Sequence, residues 1–235
     1  RSTHVMVVDE QSGAVVGDIP NTQGVHGIAL ARDLGRGFTS NGGANSVTIF
    51  DLQTLKPIST VMVSGQNPDY IIYDPATKRV FTMNGRTANS TVLDATSGKV
   101  VGTVAFTGKP ETAVLDGKGS MFVNIEDKNQ EIEFDTTTLA VKHTYPLGSC
   151  EAPTGNAIDT VHRRLFIACS DSKMMAVMNA DTGKVVATPA IGEDSDATAF
   201  DPGTGLAFAS CREGVLSIIH MDSPDKYSVV GNVKT

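Results

Sequence analysis

Six polar residues carry the candidate chemistry of this chain: His26, Asp69, Glu111, Glu151, Asp194 and Asp196. Each opens a short apolar stretch that reads as a β-strand, with Thr154 and Glu193 beside them. If those strands are the innermost ones of a repeating β-architecture, the six groups lie near one axis. A ring of carboxylates there could hold a divalent cation or a cationic ligand. The plainer alternative is a set of solvated loop ends around a water-filled channel. His26 could be a metal or haem ligand, or a general base. Beside Gly27, at the start of a strand, it could equally hydrogen-bond a neighbouring loop.

The elements that must position these groups are written in a repeat. Thr91–Val104, TVLDATSGKVVGTV, reads as a strand, a tight turn and a second strand. The same unit returns at Val5–Ile19, Val47–Val61, Glu131–Tyr145, Met175–Pro189 and Leu216–Val230. Its turn-opening residues are Asp9, Asp51, Asp94, Asp135, Asn179 and His220, at spacings of 42, 43, 41, 44 and 41. Between these hairpins lies a second one, at His26–Asn41, Asp69–Asn84, Glu111–Asn124, Thr154–Cys169 and Asp196–Cys211. Two hairpins make four strands, A to D. A period in the low forties with four strands per repeat is the signature of a β-propeller blade. The apolar periodicity is two, or unbroken, and no helix is expected.

The fold expected is therefore an all-β propeller of four-stranded blades. One C–D hairpin and five complete units come to about 22 strands, or five and a half blades, whereas a closed ring needs a whole number. A single propeller domain over 1–235 is expected, incomplete at one or both ends and part of a longer parent. A six-bladed ring closed by a further hairpin or another chain is the alternative. In each blade, D-to-A connections and B-to-C loops share one face, the top, where propellers usually bind ligands near the channel mouth. A-to-B and C-to-D turns share the other. A side chain needed in every blade serves the blade, so the turn Asp residues are expected to cap turns, not to catalyse.

Composition narrows the function classes. The chain has 235 residues, 23 Gly, no Trp and a formal net charge of −7. No Lys or Arg run gives the footprint of a general nucleic-acid binder. No apolar run approaches the roughly 20 residues of a membrane helix. No H-E-x-x-H, C-x-x-C or C-x-x-C-H occurs, which excludes a covalently attached c-type haem within this segment. Met174, Met175 and Met178 could suggest a copper cluster, but at the start of a strand C they read as packing. No cofactor is evident beyond the possible divalent cation.

The strands Phe38-Thr39-Ser40-Asn41, Phe81-Thr82-Met83-Asn84 and Phe122-Val123-Asn124 resemble the Tyr-Val-Thr-Asn strand of YVTN-repeat propellers. So do the Asp-Pro turns at Asp74-Pro75 and Asp201-Pro202, and the runs Ser97–Val101 and Thr182–Val186. The resemblance spans nearly the whole chain and is nearest to YncE-like bacterial proteins. It implies a seven-bladed parent, export to the periplasm or medium, and a non-catalytic binding or scaffold role, with a small ligand or a protein as partner. Two alternatives stay open: a lactonase-like hydrolase using His26, Arg86 and Glu111, and an accessory propeller of a haem or metal redox system.

Given export, the cysteines can be placed. Cys169 and Cys211 close the same strand in adjacent blades, where Asn41, Asn84 and Asn124 stand in others. Those positions should lie beyond the ~7 Å Cα limit of a disulfide. Cys150 lies on the loop leading into the Cys169 blade, so a Cys150–Cys169 bridge is geometrically sensible in an oxidising compartment. A catalytic thiol is the sharper reading, but no paired His is evident.

Overall fold

The computed structural model describes residues 2–235, which divide into two compact units, 2–109 and 110–235. In the first unit, β1 (Ser2–Val8), β2 (Val15–Ala31), β3 (Arg36–Asn41), β4 (Ser46–Asp51) and β5 (Pro57–Met62) form one antiparallel sheet in sequence order. A second sheet holds β6 (Pro68–Asp74), β7 (Arg79–Asn84), β8 (Asn89–Asp94) and β9 (Val100–Ala105).

The second unit has three sheets, each a four-stranded antiparallel meander. They are β10 (Pro110–Leu115) to β13 (Val141–Pro146) by way of β11 (Ser120–Ile125) and β12 (Gln130–Asp135); β14 (Pro153–Asp159) to β17 (Val185–Ala187) by way of β15 (Arg164–Cys169) and β16 (Met174–Asn179); and β18 (Ser195–Asp201) to β21 (Lys226–Lys234) by way of β19 (Leu206–Cys211) and β20 (Val215–Ser223). Among the described residues the only helical segments are two single 3-10 turns, Arg32–Leu34 and Glu126–Lys128. No helix is long and apolar enough to cross a membrane.

Among the described residues there are 21 strands, one fewer than the repeat count implies. The first D strand and the following A strand are not separate. They are one continuous β2, paired with β1 over Val15–Pro20 and with β3 over Val25–Ala31. The chain turns inside β2 through the left-handed residues Asn21 and Gly24. Gly24 also lies so close to the β3–β4 turn that a Cβ would stand 2.6 Å from the Gly43 nitrogen. Only glycine combines that backbone conformation with that approach.

The B strands β3, β7, β11, β15 and β19 each carry a phenylalanine at their third position. Phe38, Phe81, Phe122 and Phe166 are fully buried. The innermost strands of the second unit pack tightly. A Cβ on Gly155 of β14 would stand 2.6 Å from the Thr198 nitrogen of β18. Inter-sheet clamps recur at the first residue of the B strand, in β3 and β15. Arg36 donates to the carbonyls of Ala95 and Thr96, and Arg164 donates to Pro224 O at 2.8 Å and Asp225 Oδ1 at 2.7 Å.

Strand register corrects one repeat alignment. Asn41 pairs with Ser46 and Asn84 with Asn89, but their equivalent in the third repeat is Ile125, which pairs with Gln130. Asn124 pairs with Glu131 and so points to the opposite face of its sheet. The cause is a strand one residue longer than its sequence match, and a single step along a strand reverses the side chain. Asn41 and Asn84 each accept a bond from the Thr two residues earlier and donate to the Thr of the next strand, Thr48 or Thr91. Asn124 belongs to neither network.

The turn aspartates do what their recurrence implies. Asp9, Asp51, Asp94 and Asp135 each accept a backbone N–H bond from the residue three positions on, and Asn179 does the same. Asp74, Asp116, Asp159 and Asp201 likewise cap the other turns. His220, at the equivalent place in the last repeat, instead meets Asp222 at 2.8 Å in a longer hairpin.

Bonds to the charged form depress the carboxyls of Asp9, Asp51, Asp94, Asp135 and Asp201. The Thr138 backbone N–H is the largest influence on Asp135, with Lys142 and Thr137 adding to it, and together they bring it down to about 2. A depressed folded-state value stabilises the protein above the ordinary carboxylate range, and that share disappears as pH falls through about 2. An Asp135→Asn variant is therefore expected to melt below wild type at neutral pH. The gap in melting temperature should close between about pH 4 and about pH 2. A gap independent of pH would mean that the carboxylate charge contributes nothing there.

Candidate functional site

Within each unit, the D-to-A connections and the B-to-C turns hydrogen-bond to one another at one end of the strands. In the first unit Gly85 N donates to Asn67 O and Val63 N to Asn45 O. In the second, Leu147 N donates to Asn129 O, Ser170 N to Ala152 O, Ile191 N to Lys173 O and Arg212 N to Asp194 O. Asparagines in the left-handed conformation act as hubs: Asn45 Oδ1 accepts from Asn67 N, and Asn129 Oδ1 accepts from Ala152 N. Loops tied down in this way can hold side chains in fixed positions above the strand ends.

In the first unit, the His26 imidazole of β2 and the Asp69 carboxylate of β6 are in direct contact through Nδ1, both side chains partly exposed. A carboxylate on Nδ1 fixes the orientation of the imidazole. In the second unit, Glu111 is half-buried on β10. Asp196 pairs with Arg212 at 3.3 Å, and Lys173 pairs with Glu193. Asp194 is exposed with a left-handed backbone.

Glu151 has company that the repeat logic did not supply. It lies on an open cleft of about 470 Å³ lined by Glu126, Asp127, Asn129, Glu151, Ala152 and Asp171. Glu126 and Asp127 come from the β11–β12 turn and Asp171 from the β15–β16 turn, whose nitrogen donates to Glu151 O at 3.3 Å. Four carboxylates thus share one cleft. Its visible signal is the acidic B-to-C turns, Glu126-Asp127 and Asp171, on either side of the Glu151 loop. The carboxylates do not close on a single point. Among the described residues no three His, Cys, Asp or Glu side chains are placed to hold a metal ion. The cleft is suited instead to several separate positive groups.

A disulfide frames this cleft. Cys150 and Cys169 are bonded, both fully buried, with Cα atoms 5.2 Å apart. The bond ties the loop that carries Glu151 to the end of β15, next to the turn that carries Asp171. Cys211 is a free buried thiol beside Ser217, and desolvation raises its pKa, which keeps it in the unreactive thiol form. Met175 and Met178 lie in the apolar core, and Met174 packs against it. His162 is bonded to Asp159 and His143 stacks on Tyr145.

No family model matches the chain, and no curated protein matches it. Solved structures do. A chain of the mitotic checkpoint complex matches with a TM-score of 0.85 at 15% identity, over 99% of this chain and 72% of that one. A functionally unknown protein from Desulfotomaculum acetoxidans matches with a TM-score of 0.86 at 8% identity, over 99% and 77%. The β-propeller domain of Myceliophteria thermophila Cps50 (Swd1) matches with a TM-score of 0.74 at 11% identity, over 91% and 73%. At such identities the likeness speaks for architecture alone, and the architecture is that of β-propeller blades.

Proposed function

We propose that this chain is the propeller of an exported, non-catalytic binding protein that receives a positively charged segment of a partner on its loop-bearing face. The acidic cleft of the second unit carries the reading. It concentrates Glu126, Asp127, Glu151 and Asp171 on loops held by backbone bonds and a disulfide. Its volume lies in the range of roughly 300–1,000 Å³ usual for ligand sites. The formal net charge of −7 draws in a cationic partner from a distance and sets no requirement for catalysis. One of the structural neighbours is itself a chain of an assembled complex, in keeping with a scaffold role.

Export follows from the resemblance of the repeats to YVTN-type propellers. The Cys150–Cys169 bond supports it, because disulfides persist in oxidising compartments. The test is calorimetric titration of an oligolysine peptide against wild type and a Glu151→Gln/Asp171→Asn double variant. Wild type is expected to bind with an affinity that falls steeply as salt is raised. The double variant should bind about tenfold or more weakly, a loss of about 1.4 kcal/mol. Equal affinity in the two proteins would remove the cleft from the proposal.

A further inference from the structure

Glu131 breaks the pattern of its repeat. At the same place in the C strands β4, β8, β16 and β20 stand Val47, Ser90, Met175 and Leu216. Nothing in the sheet architecture demands a carboxyl there. Its side chain is nevertheless fully buried. On the same face lie Asn124 of β11, directly opposite in register, and Asn156 of the neighbouring β14, both buried.

The hydrogen bonds of these three side chains orient them. Asn156 Nδ2 donates to Glu131 Oε1 at 2.8 Å. Asn124 Nδ2 donates to Thr154 O at 3.0 Å and Gly155 O at 3.1 Å. Exchanging oxygen and nitrogen in Asn124 would set its oxygen against two carbonyl oxygens, so that amide is fixed as it stands, and in Asn156 the nitrogen faces Glu131 Oε1. Three acceptors are then left without partners: Glu131 Oε2, Asn156 Oδ1 and Asn124 Oδ1. Buried acceptors of this kind are rare in native proteins, and each calls for an explanation.

Two of the three belong to side chains already joined by one bond. We infer that Glu131 is a carboxylic acid whose proton, on Oε2, is donated to Asn156 Oδ1, closing a two-bond acid–amide ring that ties β12 to β14. Asn156 Nδ2 donates one way across the ring and Glu131 Oε2–H donates the other. One proton thereby satisfies two of the orphaned acceptors.

Among the described residues, the charged groups on the surrounding strands are engaged elsewhere. On β13, Tyr145 donates to Glu133 Oε2 at 3.0 Å, Lys142 reaches Ser120 and Asp135, and His143 stacks on Tyr145. On β12 itself, Glu133 accepts from Ser120. On β14, Asp159 holds His162, and on β15 Arg164 is directed to Pro224 and Asp225. Glu111 on β10 is a further acid. Burial pushes the Glu131 carboxyl well above its usual range, outweighing the Asn156 bond, which acts the other way.

The sign of the pH effect follows. A carboxyl that is harder to ionise folded than unfolded makes folding take up a proton. Its stabilisation is complete below the ordinary glutamate value of about 4.3 and declines as pH rises from there toward the folded-state value.

The test is the isosteric variant Glu131→Gln, in which an amide–amide pair reproduces the ring without the proton. Melting temperatures are compared from about pH 5 to about pH 9, and infrared spectra are taken at neutral pH. The gap between variant and wild type is expected to widen in favour of the variant as pH rises. Wild type should show a protonated carboxylic C=O band that the variant lacks. Asn156→Ser should shift that band, and Asn124→Ser should leave it in place. Parallel pH profiles with no such band would overturn the inference. So would a band that follows Asn124 rather than Asn156. A wild-type stability that rises with added calcium while the variant's does not would also overturn it, by placing a cation among the oxygens.

Discussion

Phe166→Ala is expected to lower the stability of the second unit by about 3–5 kcal/mol, the range for a buried aromatic truncated to alanine. Phe166 is fully buried and sits where two neighbouring blades meet. Its ring stacks on Phe200 of β18 at a centroid distance of 4.6 Å and meets the edge of Tyr227 of β21 at 5.9 Å. Truncation therefore removes apolar burial, breaks two aromatic contacts and opens a cavity in the cluster of Ala168, Val177, Ala209 and Ile219. The sheets on both sides are held by ladder hydrogen bonds, and this rigidity keeps the cavity open. Urea unfolding monitored by tyrosine fluorescence measures the effect. The midpoint should fall with little change in slope. Phe208, at the same repeat position in the last sheet, is only half-buried, and its truncation should cost visibly less. Equal losses at the two positions would mean that repeat position and not burial governs the core.

Much of the blade architecture was legible in the residues because a repeat states its own rules several times. The Asp at four of the six C-to-D turns, the Phe at the centre of each B strand and the alternation between them all mark structural positions. What escaped the reading lies where a strand slips by one residue. Asn124 looks like Asn41 and Asn84 when the strand is aligned on its Phe-to-Asn run, and only the pairing of Ile125 with Gln130 shows the displacement. That step turns Asn124 toward Glu131 and creates a buried polar group that no turn chemistry announces. The fusion of the first D and A strands into β2 escaped for a related reason. Asn21 and Gly24 read as loop residues, yet their left-handed conformations bend the chain while its pairing continues.

The site was legible only in part. Polar groups at the start of each A strand follow from the repeat, and two of them, His26 and Asp69, meet. The acidic cleft depends on how B-to-C turns of one blade stand beside the D-to-A loop of the next. That proximity belongs to the packing between blades. The period of the sequence does not contain it, so Glu126, Asp127 and Asp171 carried no signal of their own beyond being charged residues in turns.

The same loop is the subject of the second large effect. Cys150→Ser/Cys169→Ser is expected to lower stability by about 3 kcal/mol, the loop-closure value for a bridge of this span. The two cysteines are 19 residues apart, and the bond spans the whole of β14. Without it, the Leu147–Ala152 loop keeps the bonds from Leu147 to Asn129, from Ser170 to Ala152 and from Ala152 to the Asn129 side chain. These should preserve the turn while it becomes free to open more often. Glu151 and Asp171 face the cleft from the two sides of the bridge, so the cost should appear twice: as a lower unfolding midpoint, and as weaker oligolysine binding under conditions where the protein is fully folded. The two readouts separate the roles of the bond. A stability loss without a binding loss would make it a brace for the fold alone. A parallel loss would show that the bridge presets the spacing of the carboxylates and that part of the binding energy is otherwise spent in ordering the loop. The buried setting of both sulfurs, each fully enclosed, further implies that mild reductant at neutral pH should leave the bond intact until the surrounding strands open. Loss of binding on reduction should therefore follow the rate of local unfolding and be independent of reductant concentration once that is in excess.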